Sequence, residues 1–170
     1  MYTQRVSSYE TLLTATRARE LELHEPSGRV IQLLGVVQRP GAPTSIDGRS
    51  NGQLLRDFVV HLGRLDATVD RACGVTRCRE YRPASRVAYD AHVRACTDSG
   101  LLFHKEAGAS IGELVPNYRP RDTQNLGYGV MICYEFTAEG RKRHLAHVAS
   151  GGGGIAARDG GGEDGEGALD

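Results

Sequence analysis

At 170 residues, with 39% hydrophobic residues and a mean hydropathy of −0.38, the chain has the make-up of a soluble globular protein long enough to bury one core. It holds no apolar run near the ~20 residues a membrane span needs, and its start, MYTQRVSSYETLL, lacks a secretion-signal pattern. An intracellular, soluble protein with no membrane partner is therefore expected, and a pI near 7.0 argues against a strongly basic nucleic-acid binder.

Ser7 with Glu10 three residues later fits a capping box and predicts a short helix to about residue 19. Leu21 and Leu23 alternate with glutamates, Pro26-Ser27-Gly28 supplies a turn, and residues 29–38 are apolar and β-branched, which reads as a β-hairpin. Residues 40–52 are a loop rich in Gly, Pro, Ser and Asp. Between residues 51 and 73 the apolar positions 55, 58, 59, 62, 65, 69 and 72 keep helical spacing, and Gly74 stands where a glycine ends a helix. Pro83 opens another helix that exits at Asp98-Ser99-Gly100, with Ala84, Val87, Ala88, Ala91 and Ala95 as a stripe of small side chains. Strands follow at 101–104, 110–115, 128–136 and 141–149, the last two joined by a turn at Ala138-Glu139-Gly140. The expected fold is α+β. Residues 1–150 form a single compact domain of antiparallel β-hairpins packed on two or three helices, and residues 151–170 a disordered Gly-rich acidic tail.

The zero net charge conceals a division: the tail sums to −4 and the body to +4. Arg71, Arg77, Arg79, Arg82, Arg86 and Arg94 against Glu80 and Asp90 put the same excess of +4 into residues 71–96. That segment also holds Cys73, Cys78, His92 and Cys96, written C-x4-C-x13-H-x3-C. The pattern resembles the spacing of a zinc finger, one residue longer in the middle and with cysteine as last ligand. The resemblance implies a structural zinc on these four residues. The alternative is that the cysteines are small buried hydrophobes and His92 a half-exposed helix residue.

A binding role leads over catalysis, because no nucleophile–base pair or cofactor motif stands out. The expected function is a non-catalytic binding protein that contacts nucleic acid through Arg71, Arg77, Arg79, Arg82 and Arg86, with Tyr81 stacking on a base. Two alternatives stand beside it: a protein–protein adaptor or structural protein, and a small enzyme sited in residues 104–135, around His104, Glu113, Arg119, Asp122 and Tyr128.

Overall fold

Side-chain alternation along five segments builds the central sheet. The computed structural model describes residues 1–85 and 87–150. Strands β1 (Tyr2–Val6), β2 (Val30–Gly35), β5 (Arg71–Thr76), β7 (Gly129–Glu135) and β6 (Ser110–Val115) lie in the order β1-β2-β5-β7-β6. A two-residue pair, β3 (Ser45–Ile46) and β4 (Arg49–Ser50), stands apart. The helices are α1 (Tyr9–Leu13), α2 (Asn51–Leu65), α3 (Tyr89–Ala95), α4 (Ser99–Lys105) and α5 (Ala138–Ala149).

The period of two sorts the core onto two faces. Val30, Cys73, Met131 and Cys133 meet Val6, Leu12 and Tyr118 on one side. Leu33, Ala72, Ile132, Tyr134 and Phe136 meet Val60 of α2 and Val69 on the other. Strand β7, buried from Gly129 through Tyr134, therefore reads as a continuous apolar run. A third cluster packs Cys78, Tyr81, Tyr89, Val93, Cys96 and Leu101 beside Val130. Helix α2 lies tight on the sheet: a Cβ at Gly63 would stand only 2.3 Å from the Phe136 ring. Gly63→Ala is expected to cost about 1–3 kcal/mol, read as a lower urea midpoint at unchanged slope.

A single compact α+β domain is what the described residues form, but the sheet is mixed, not built of hairpins alone. Strand β2 pairs antiparallel with β1 and parallel with β5. Residues 20–23, expected as the partner of β2, form a 3-10 turn instead. Helix α2 begins as predicted, because Ser50 and Gln53 form a full capping box, but it ends at Leu65. Cys73 and Gly74 therefore lie inside β5. Cys73 faces Cys133 across β7 at a Cα separation of 4.3 Å, and the two form a disulfide. Residues 101–104 are helical because Asp98 caps α4 through Gly100 N–H, and Thr137 caps α5 in the same way through Gly140 N–H. No helix among the described residues is long and apolar enough to cross a membrane. The expected acidic tail, 151–170, lies outside the described residues.

Candidate functional site

The parallel pairing of β2 with β5 decides where a ligand can enter. Their ladder runs from Val30–Arg71 to Leu33–Gly74 and stops, although β2 continues to Gly35 and β5 to Thr76. Each carboxyl end stays bound to its outer neighbour, Gly35 to Tyr2 and Thr76 to Val130. The two strands thus part where an open sheet places its ligands, outside the carboxyl ends of parallel strands. Gly74 stands at the apex, where a Cβ would come within 3.1 Å of the Leu33 carbonyl oxygen.

A crossover between parallel strands must carry its helix back along the sheet, which brings the start of α2 to this same end. The Ser50 and Gln53 side chains take up the Gln53 and Ser50 N–H groups, and the Thr44 carbonyl takes that of Asn51. Gly52 N–H and the positive end of the helix dipole remain to face an anion. Arg49 adds charge beside it: one nitrogen pairs with Asp57, and Nη1 is buried with no hydrogen-bond partner among the described residues.

Phe103 of α4 packs against this first turn, and His104 follows it in the helix. A Cβ at Gly52 would lie 3.7 Å from the Phe103 ring, and the Arg56 guanidinium stacks 4.4 Å from that ring's centre while donating to the Phe103 carbonyl. His104 Nδ1 is 2.9 Å from the Tyr134 hydroxyl. Burial, helped by the charges of Arg56 and Arg79, pulls the His104 pKa down to about 4, so its imidazole is neutral near pH 7. Burial also raises the pKa of Tyr134, which keeps its proton. Thr76 ends β5 and, by alternation, presents its hydroxyl to the same face as Ala72 and Gly74. A helix start with an N–H left over, a neutral half-buried imidazole and an open strand pair together suit a small molecule with an anionic end and a reactive carbonyl.

No family model and no curated protein matches the chain. Solved structures do. GphF, a GNAT-like decarboxylase solved in complex with isobutyryl-CoA, is 32% identical over 80% of this chain and 71% of its own, with a TM-score of 0.71. The loading GNATL domain of CurA from Lyngbya majuscula is 30% identical over 79% and 69%, with a TM-score of 0.69. The chain belongs to the GNAT-like family.

That membership overturns the nucleic-acid reading: the GNAT-like neighbours are a decarboxylase solved with an acyl-CoA and a loading domain, not nucleic-acid binders. Three of the five arginines expected to contact phosphate are engaged within the GNAT-like domain. Arg71 pairs with Glu135 at 3.2 Å and Arg77 with Asp122 at 2.6 Å, while Arg82 donates to the carbonyls of Arg79 and Tyr81. Arg79, on the exposed chain after β5, contributes to the field on His104, and Arg86 lies outside the described residues. Tyr81, expected to stack on a base, is buried edge-on against Tyr89 and His92.

Of the five residues offered for an enzyme site, His104 follows Phe103, whose ring packs on the start of α2. Asp122 ties Arg77 to Asn125, and Tyr128 stacks on Tyr89 at 5.6 Å. Arg119 lies over the Tyr118 ring, and Glu113 acts on Tyr9. The four residues of the zinc-like spacing separate. Cys73 is paired with Cys133 on the sheet, whereas Cys78 and His92 come together with Asp98, a residue the spacing did not include. Cys96 is buried in the same cluster, at the left-handed end of α3 with φ 50°. Burial pushes the Cys78 thiol up to about 11, so it is no nucleophile near neutral pH. The Asp98 carboxylate is held at about 2: burial opposes its charge, but the backbone N–H groups of Glu80 and Arg79 outweigh burial.

Proposed function

We propose that this chain binds an acyl-CoA thioester in the β2–β5 crevice and removes a carboxylate from its acyl group. One observation carries the reading: a half-buried, neutral His104, hydrogen-bonded to Tyr134, follows the Phe103 that packs on the start of α2, in a GNAT-like chain 32% identical to a decarboxylase. The diphosphate of the ligand belongs at Gly52 N–H and the α2 dipole, and the thioester belongs between the strands.

Loss of a carboxylate next to a thioester breaks a carbon–carbon bond, releases CO2 and leaves the electron pair as an enolate. The barrier falls when a donor waits where that oxygen turns anionic. This step uses the tautomer in which Tyr134 donates its hydroxyl proton to His104 Nδ1 and the imidazole hydrogen sits on Nε2, free to donate to such an oxygen. A neutral donor suits the task, because it keeps its proton while the enolate forms, and a proton from solvent then completes the α-carbon. Arg56 holds the Phe103 carbonyl and so positions the segment that carries His104.

Binding of isobutyryl-CoA, followed by calorimetry, tests the anion end. Gly52→Asp, whose Cβ has room, should weaken it roughly 5- to 10-fold through charge at the helix start, whereas Gly52→Ala should leave it near the wild-type value. Equal affinities for all three would remove α2 from the site. The 30% identity to a loading domain favours a second reading, in which the decarboxylated acyl group passes on to an acceptor thiol at the same crevice. Acyl transfer to an added thiol would mark it.

A further inference from the structure

A second site lies at the capped N-terminal end of α4. We propose that Cys78, His92 and Asp98 hold a structural divalent metal ion of the zinc class. Their ligand atoms all fall within 4.8 Å of one another, and they supply a thiolate, an imidazole and a carboxylate, the donor set that zinc prefers. His92 Nε2 and Asp98 Oδ2 stand 3.3 Å apart. A charge-assisted hydrogen bond is usually nearer 2.7–2.9 Å. A tetrahedral ion with legs of roughly 2.0–2.1 Å holds its nitrogen and oxygen ligands about 3.3–3.4 Å apart.

Two of the ligands are held from behind, as a metal site favours. Asp98 Oδ1 accepts from Gly100 N–H at 2.9 Å and Oδ2 from Glu80 N–H at 2.8 Å, so the buried carboxylate cannot swing away. The Cys78 backbone N–H is fixed by Asn125 Oδ1 at 3.0 Å. His92 projects from α3 beside the Tyr81 ring. The ion would replace the proton between His92 and Asp98 and displace the one on Cys78. It would thereby clamp the exit of β5, helix α3 and the first turn of α4, the helix that carries His104. This assignment does not use the acyl-CoA reading, since its three ligands are none of the residues given a role in that reading.

Cobalt(II) titration of the chelator-treated protein tests it. Uptake should produce the intense near-ultraviolet band of thiolate-to-cobalt charge transfer together with visible bands of tetrahedral cobalt. Cys78→Ser should abolish the charge-transfer band, and Cys96→Ser, an equally buried change outside the set, should keep it. His92→Gln should weaken uptake by more than the roughly 10–100-fold that follows loss of an outer-shell partner. The thiolate band also separates this site from the hydrogen-bonded pair His61 and His144, 2.8 Å apart, which can take cobalt only through nitrogen. No uptake, uptake without the thiolate band, or a wild-type spectrum from Cys78→Ser overturns the assignment.

Discussion

His104→Ala is expected to lower kcat for decarboxylation of a carboxylated acyl-CoA by about 10²–10³-fold, the usual cost of losing one pre-organised donor to a developing oxyanion. KM should stay close to the wild-type value, because the proposed site holds the CoA moiety at α2 and uses the imidazole only on charge that appears in the transition state. His104→Gln separates the donor from the ring: an amide N–H in the same place should restore part of the rate. Tyr134→Phe frees Nδ1 from its hydroxyl partner and should flatten the rate less than loss of the ring. A fall in affinity equal to the fall in rate would instead make His104 a binding residue.

Acid should destabilise the fold before it titrates the carboxylates. His104 is half-buried as the neutral base with a pKa of about 4, against 6.5 when free. Below pH 6.5 the unfolded chain takes up a proton that the folded chain refuses, so stability is full above 6.5 and falls as the pH drops towards 4. The separation corresponds to about 3 kcal/mol at the acid end, a sizeable part of the total stability of a domain this size. Asp98, held near 2, adds its own loss only at lower pH, through the window between 3.8 and 2. Urea melts at pH 7.5 and pH 4.5 measure the difference, and His104→Gln should remove most of it. The same shift keeps the imidazole neutral during turnover, so the acid limb of kcat should fall near pH 4 and not near 6.5.

Where capping chemistry and apolar period agreed, the fold was legible. Ser50 and Gln53 mark the start of α2, and the runs of β6 and β7 are rich in apolar and β-branched residues. Helix α4 was misread because Leu101, Leu102 and Phe103 are as apolar as a buried strand, and only the cap at Asp98 tells the two apart. Strand β5 was read as the end of a helix because Val69 and Ala72 continue the period of α2, although the chain turns at Asp66. Strand β1 escaped notice, since its pairing with β2 spans the whole of α1 and the 3-10 turn.

The site was less legible for the same reason. As a sequence feature His104 is one histidine among six. Its chemistry comes from Tyr134, 30 residues away, and Arg56, 47 residues before the carbonyl it grips, and neither is a local signal. The cysteine spacing drew attention to the right neighbourhood with the wrong members: placing Cys73 in a central strand turned it towards Cys133, and the exit loop brought Asp98 to Cys78 and His92. The arginine excess of residues 71–96 described a local charge count, and folding spends Arg71 and Arg77 on ion pairs within the domain.

Release of CO2 is the most direct measurement. The chain should be incubated with malonyl-type CoA thioesters that differ in α-substituents, and the products weighed by mass spectrometry. The crevice reading predicts catalytic conversion of at least one thioester to the acyl-CoA lighter by CO2, with the conversion lost in His104→Ala. Intact thioesters throughout, from a folded protein that binds isobutyryl-CoA, would contradict it.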